Sequence, residues 1–443
     1  MDRKWFSKNP FNLLFLLVCL TFSASGQQQQ PKISKFERDE VLQMLNTISD
    51  DVKKHYYDPK LHGIDWDENV RNFRQRMENA ASLNRGLSEV AAAVDVLNDS
   101  HAFFLPPPRP YKHDYGWQIR MVGQQCMVLG VRPESDAEKK GVKPGDEVMS
   151  INGFAPARDN LWKMNLVHNV LRPQPALRVS LRSPTGEKRE VEVVAAVRQL
   201  PKTRDLTGGG IWDYIREIEN AGHLERMRWM ETEGGVMILK FPAFLFTQGQ
   251  VDDVMKKARK NQALIIDLRG NGGGSVETLK EFLSNFFDHD VKIAERMMRD
   301  NSKPVLAKSS GKDAFMGKLI VLVDSMSGSA SEVLARVVQL EKRGTVIGDQ
   351  SAGAVMEARR YSYKIGFETE LFYGASITDA DLIMADGKSL EKVGVTPDEL
   401  LLPSATDLAA GRDPVLARAV QIAGGKMSPQ TAGKVLVYEW PKE

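Results

Sequence analysis

Between residues 235 and 404, short unbroken apolar runs alternate with stretches of helical spacing, and this pattern most narrows the folds open to the chain. The runs are Val236-Met237-Ile238-Leu239, Ala263-Leu264-Ile265-Ile266-Asp267, Leu319-Ile320-Val321-Leu322-Val323 and Thr345-Val346-Ile347. A strand with one face in water alternates apolar and polar residues, whereas one that is apolar throughout has both faces covered. Between the runs, over 251–260, 276–287 and 331–340, apolar residues recur at the spacing of an amphipathic helix. The pattern predicts a largely parallel sheet covered by helices, an α/β core over 232–405.

At 443 residues the chain is too long for this core alone. Residues 34–105 read as a helical leader, with Val41, Met44, Leu45, Ile48 and Val52 at helix spacing and Val90, Ala93, Val94 and Leu97 repeating it. Pro106-Pro107-Pro108 cannot continue a helix and marks a linker. Over 115–198 the period changes to strand-like alternation, as in Leu177-Arg178-Val179-Ser180-Leu181. Inside it, Val128 to Pro133, Ala137 to Asp146 and Val148 to Gly153 give a strand, a short helix stopped by Gly141, a Pro-Gly-Asp turn and a strand ending at Asn-Gly. That order resembles a PDZ domain of the kind found in bacterial proteases, which implies an edge groove where an extended peptide is added as a strand. Residues 198–232 read as a polar connector carrying Gly208-Gly209-Gly210, and 406–443 as a C-terminal tail.

Composition excludes some classes. Hydrophobic content of 42% and charged content of 27% belong to a globular protein, and the formal charge of +2 without a basic, aromatic-laced stretch argues against nucleic acid as a partner. Arg3, Lys4 and Lys8 precede the apolar run Leu13 to Val18, which exits through Ala24-Ser25-Gly26 into Gln27-Gln28-Gln29-Gln30-Pro31. A charged start, a short apolar centre and small residues at the exit read as an export signal over 1–26, placing the chain in the periplasm or outside the cell. The membrane then enters only during export; an uncleaved anchor, or lipidation at Cys19 behind the bulky Val18, is the lesser alternative. Removal of 1–26 leaves Cys126 as the single cysteine, within apolar Cys126-Met127-Val128-Leu129, where a small core residue is the plain reading.

Two loops could do chemistry. Ser327-Gly328-Ser329-Ala330-Ser331-Glu332 follows a buried run and opens a helix, so a serine here sits where backbone N–H groups and the positive helix end would receive an oxyanion. Ser329 and Glu332 also fit the S-x-x-E of an ordinary capping box, and on this segment alone the two readings stand side by side. Asp267-Leu268-Arg269-Gly270-Asn271-Gly272-Gly273-Gly274-Ser275 follows another buried run, and its glycines let backbone approach a substrate. A phosphate loop is disfavoured, because the G-x-x-x-x-G-K-[ST] spacing is absent.

Taken in order, the helical leader, the PDZ-like insert, the Asp267-Leu268-Arg269-Gly270-Asn271-Gly272-Gly273-Gly274 loop and Ser329-Ala330-Ser331-Glu332 resemble the tail-specific, or C-terminal processing, serine proteases. The resemblance implies a crotonase-like core and a polypeptide substrate, with neither metal nor organic cofactor; the sequence leaves a homo-oligomer open. The resemblance also implies Ser329 as nucleophile, with an oxyanion hole from the Ala330 N–H and either Gly272 or Gly273. One departure stands out: many members carry a lysine base where this chain has Ala354, and Lys364 lies an alignment slip away. The tricorn core protease branch instead uses a histidine preceded by a serine near the end of the leader, with a distant glutamate. That branch resembles Asp99-Ser100-His101-Ala102-Phe103 together with Glu391-Lys392-Val393-Gly394-Val395-Thr396-Pro397-Asp398. The implied set is Ser329 as nucleophile, His101 as general base, and Ser100 and Glu391 orienting it; a serine hydroxyl near neutral pH needs such a base. Ala330 stands where tricorn has an acidic residue, so its preferences do not transfer. The alternatives are a catalytically silent binding protein of the same fold, like the retinoid-binding proteins of the eye, and a crotonase-like acyl-CoA enzyme, which leaves the PDZ-like insert unexplained.

Overall fold

The computed structural model describes residues 32–199, 226–366, 371–438 and 440. The export signal read over 1–26 and most of the connector with its three glycines lie outside them. Among the described residues, no helix is long and apolar enough to cross a membrane.

The leader forms α1 (Lys35–His55), α2 (Trp66–Glu78) and α3 (Leu83–Asp95), followed by the short strand β1 (Phe103–Leu105). Helix α1 starts at a reciprocal capping box: the Glu37 N–H donates to Ser34 Oγ at 3.1 Å and the Ser34 N–H to Glu37 Oε2 at 2.8 Å. Val41, Met44, Leu45, Ile48 and Val52 line one face of α1 and are buried against α2 and α3. Each such side chain contributes about 1.5–3 kcal/mol by leaving water.

The insert is antiparallel. Strands β2 (Tyr111–Asp114), β3 (Trp117–Val122) and β4 (Gln125–Val131) precede α4 (Asp136–Lys139) and β5 (Glu147–Ile151). Helix α5 (Leu161–Leu166), β6 (Ala176–Arg182), β7 (Lys188–Val194) and β8 (Ala196–Gln199) complete it. Strands β3 to β7 form one sheet in chain order, and β2 pairs with β8 as a stem. Cys126 lies inside this module's core, and burial pushes its thiol up to about 12.

The third part carries β9 (Arg228–Glu231), β10 (Val236–Lys240), α6 (Gln248–Ala258), β11 (Ala263–Asp267) and α7 (Val276–Ser284). Then come β12 (Val291–Met298), β13 (Ser302–Ala307), β14 (Lys318–Val323), α8 (Ala330–Leu340) and β15 (Thr345–Gly348). Last are β16 (Met356–Ile365), β17 (Leu371–Met384), β18 (Glu399–Leu400), α9 (Ala405–Ala409) and α10 (Pro414–Ile422). The main sheet runs β18-β15-β14-β11-β10-β9, parallel except at the β9 edge. Its apolar runs divide by parity: Met237, Leu239, Leu264, Ile266, Leu319 and Val321 meet α6, α7 and α8 on one face. Val236, Ile238, Ala263, Ile265, Ile320 and Leu322 meet Val415, Leu416, Ala419 and Val420 of α10 on the other. The stretch after 405, set apart above as a tail, therefore supplies the cover for that second face.

A second, antiparallel sheet, β1-β17-β12-β13 with β16 also on β17, joins the leader to this part. Phe103, Phe104 and Leu105 pair with Ser376, Ala375 and Gly374. Tyr373, Ala375 and Ile377 of β17 share a core with α1 to α3. This pairing carries the turn at 98–102 to the C-terminal ends of the parallel strands, where α/β sheets place their ligands.

Candidate active site

Ser329 is the N-cap of α8, just beyond β14, with φ 53° and ψ −119°. The other serine and threonine caps of the described helices all have negative φ: Ser34, Ser135, Thr247, Ser404 and Ser428 have φ between −67° and −75° and ψ between 154° and 163°, and Ser82, Ser275 and Ser310 have φ of −149°, −72° and −81°. Extended backbone is the ordinary geometry of an N-cap. A non-glycine residue at positive φ is strained, and such strain gathers where a side chain must be aimed. The capping reading accounts for Glu332, whose Oε2 accepts the Ser329 N–H at 3.0 Å, but not for the backbone of Ser329 itself.

Glu332 does more than cap. Its fully buried carboxylate also accepts the Ala354 N–H at 2.9 Å, the Gly353 N–H at 2.7 Å and the Ser351 hydroxyl at 2.6 Å. Burial pushes its carboxyl up to about 7 against those four donors. It thus binds the start of α8 to the segment that holds Ala354. The Ala354 carbonyl in turn accepts the Ser329 N–H at 2.8 Å, so the position of the absent lysine adjoins the backbone of Ser329.

The glycine-rich loop is held by Asn271, which is fully buried. Its Nδ2 donates to the Phe241 carbonyl at 2.8 Å, its Oδ1 accepts the Gly273 N–H at 2.8 Å, and its own carbonyl accepts Gly328 N–H at 3.0 Å and the Ser331 hydroxyl at 2.8 Å. Gly273 has φ 102°, and a Cβ there would lie 2.6 Å from Ser329 Cβ and 3.0 Å from Ala330 N. Only glycine fits so close. Gly272, by contrast, faces open space. Ala330 is the first residue of α8, and its N–H has no intrahelical acceptor.

Ser100 and His101 occupy the turn between α3 and β1, and Glu391 follows β17. The Ser100 hydroxyl donates to Glu391 Oε2 at 2.8 Å and lies 2.7 Å from His101 Nδ1, while the Ser100 N–H donates to Glu391 Oε1 at 2.9 Å. A hydroxyl has one proton to give. With that proton on Glu391, Ser100 Oγ accepts from His101 Nδ1–H, which leaves Nε2 the basic nitrogen. Burial lowers His101 to about 4, with Asp99 pulling upward and Lys392 downward, so the imidazole is neutral at pH 7. Burial raises the Glu391 carboxyl, offset by the Ser100 hydroxyl, by Lys392 and by the N–H groups of Val355 and Ser100.

One peptide unit connects the two halves. Ala354 C=O takes the Ser329 N–H, and the next N–H, that of Val355, donates to Glu391 Oε2 at 2.9 Å. Residues 235–401 match the family model of peptidase family S41, and residues 37–84 match that of the tricorn protease C1 domain. The chain carries a peptidase S41 core.

Relatives agree. The carboxy-terminal processing protease CtpB of Bacillus subtilis is 27% identical over 246 residues, covering 54% of this chain and 46% of CtpB. Putative tricorn protease homolog 2 of Streptomyces coelicolor is 24% identical over 409 residues, covering 84% of this chain and 31% of the homolog. The chain spans about a third to a half of the length of these relatives. Among solved structures, mature CPAF has a TM-score of 0.65 at 16% identity, covering 85% of this chain and 95% of its own. The photosystem II D1 C-terminal processing protease has a TM-score of 0.51 at 17% identity, covering 90% and 100%. These likenesses show a shared fold.

The insert is docked on the S41 core beside these loops. Arg120 of β3 pairs with Asp324, and the Ser325 hydroxyl donates to the Met121 carbonyl at 2.5 Å. Asp349 accepts the Gly123 N–H at 2.8 Å and pairs with Arg158 at 2.6 Å. The sequence alone gives Asn271 and Asp99 no role of their own within their motifs, and Glu332 only that of a cap. A glycine loop's asparagine and an aspartate before a turn look ordinary in a sequence; their burial is what sets them apart.

Proposed function

We propose that this chain is an exported serine endopeptidase that cleaves polypeptides through Ser329, with His101 as general base and Ser100 and Glu391 holding it. The observation that carries this is the hydrogen-bonded chain from Glu391 through Ser100 Oγ to His101 Nδ1, with Ala354 at the lysine position; placing the hydroxyl proton on Glu391 leaves Nε2 basic. Ser329 Oγ attacks the scissile carbonyl as its proton passes to His101 Nε2. The Ala330 N–H and the Gly272–Gly273 turn receive the oxyanion. His101 then protonates the leaving amine, and water on the same base frees the acyl group from Ser329. Among the described residues β3 stands at the edge of its sheet beside β4, a position that supports a PDZ-like role in which a substrate chain end is added as a strand.

The test uses the full chain. Wild type should react with a fluorophosphonate probe at Ser329 and cleave an unfolded polypeptide, with the rate falling only as pH approaches about 4 from above. Ser329→Ala and His101→Ala should each reduce cleavage by about a thousandfold or more. Well-folded wild type that neither labels nor cleaves would instead favour the silent binding protein.

A further inference from the structure

Beneath the Ser100–His101 turn lies a carboxylate that the steps above leave unused. Asp99 is 6% exposed, and it accepts four hydrogen bonds. Its Oδ1 takes the His101 N–H at 2.8 Å, the Ala102 N–H at 2.6 Å and the Thr378 hydroxyl at 2.9 Å, and its Oδ2 takes the Tyr56 hydroxyl at 2.6 Å. Among the described residues, no lysine or arginine side chain is paired with it.

Hydrogen bonding alone does not require a charge here. An asparagine oxygen could serve the three donors on Oδ1, and its NH2 could donate to the Tyr56 oxygen, whose proton would turn to His62 Nε2, 3.0 Å away. What the amide lacks is negative charge. Burying a carboxylate without a counter-cation is unfavourable, so the charge must return something that an amide would not.

The imidazole supplies the reason. Its Nδ1 partner is a neutral hydroxyl, and the Glu391 carboxylate stands one hydrogen bond further off, with Lys392 Nζ 3.8 Å away to offset it. We propose that Asp99 is a positioning residue that fixes the Ser100–His101 turn and, through space, stabilises the imidazolium formed when His101 takes the Ser329 proton. This rests on the peptidase reading above. In acylation the proton moves from Ser329 Oγ to His101 Nε2 as the Oγ–C bond forms and the carbonyl electron pair moves to oxygen. It leaves on the amine as the C–N bond breaks, and Asp99 exchanges no proton in either step. Burial draws the His101 basicity down and Asp99 draws it up. The titratable groups facing Asp99 are Tyr56 and Tyr57 at the end of α1, with His62 beyond Tyr56, and His101 itself; those facing His101 are Asp99, Lys392 and, through Ser100, Glu391.

Two readouts test it. In a Ser329→Ala background, the His101 midpoint followed by imidazole NMR should fall by about half a pH unit or more when Asp99→Asn is added. In the active chain, Asp99→Asn should lower kcat about 10- to 100-fold with KM within about twofold, and move the acid limb of the rate to lower pH. A merely structural role would leave limb and midpoint in place. If Asp99→Asn does not fold, Thr378→Val decides: with one donor removed the charge is less compensated and the midpoint should rise. A folded variant with an unmoved midpoint overturns the role of Asp99 while labelling of Ser329 stands. A wild-type chain never labelled at Ser329 overturns the peptidase reading, and this role with it.

Discussion

Gly273 offers a sharp test of the site geometry, because its neighbour in the same loop is its control. A methyl group on Gly273 would lie 2.6 Å from Ser329 Cβ, 2.9 Å from the Gly328 carbonyl oxygen and 3.0 Å from Ala330 N. None of these is the far end of a flexible side chain, so something in the Ser329 turn must shift. Overpacking of this kind costs about 1–3 kcal/mol. A side chain held at positive φ, here 102°, adds about 1–2 kcal/mol. Gly273→Ala should therefore destabilise the S41 core by about 2–5 kcal/mol, lowering its melting temperature by roughly 5–15 °C. A methyl group on Gly272 meets nothing within 4 Å, so Gly272→Ala should stay within about 0.5 kcal/mol of wild type. Thermal unfolding read by circular dichroism measures both. Fluorophosphonate labelling of the folded protein shows whether the relief of the clash has moved Ser329, and Gly273→Ala should label at least tenfold more slowly. If Gly273→Ala melts and labels like wild type, or if Gly272→Ala is equally damaging, the close approach of the glycine loop to Ser329 is wrong.

Other outcomes follow from the charged groups around the sheet ends. Burial pushes the Asp267 carboxyl up, but Arg269 and Lys240 outweigh that and hold it well below the usual carboxylate range. Its stabilising contribution is therefore complete above about pH 4 and is lost as pH falls through its lowered folded-state value. Asp267→Asn should cost about 3–5 kcal/mol at pH 7, and urea titrations should find this difference shrinking toward pH 2. Arg120→Ala removes the partner of Asp324 and should loosen the insert; faster protease nicking of the proline linker at 106–108, with the stability of the S41 core lowered by no more than about 1–3 kcal/mol, would be the sign.

The main sheet was legible in the sequence because parallel strands are covered on both faces, so each is an unbroken apolar run. Strands β12, β13, β16 and β17 are not legible there, and the reason is physical. Strands β13 and β16 have exposed or half-exposed positions along most of their length, and β17 owes its burial to three different partners, β1, β12 and β16. Pairing of residue 103 with residue 376 leaves no trace in local spacing. Helix α10 is hard to recognise for a related reason: its apolar face has meaning only once the second face of the sheet exists. At the site, Ser329, Ser100, His101 and Glu391 could be named only through likeness to a family, since none carries a local signature of its own. The geometry then gave each one neighbours. Ser329 differs from the ordinary serine and threonine caps in a backbone angle that sequence does not express, and Ala354 holds Ser329 through a backbone carbonyl that its side chain does not reveal.

The distance along the chain between Ser100 and Glu391 has a consequence for the order of events during synthesis. A ribosome that has released the chain only as far as residue 340 has already delivered Ser329 and the helix it caps. It has not delivered β17, on which the leader strand is anchored, nor the carboxylate that orders the serine–histidine pair. The Ser100–His101 pair is thus ordered last, by the chain's own latest-made strands; on the function proposed above, the chain would spend its growth, when unfolded segments of itself are closest at hand, without a working base.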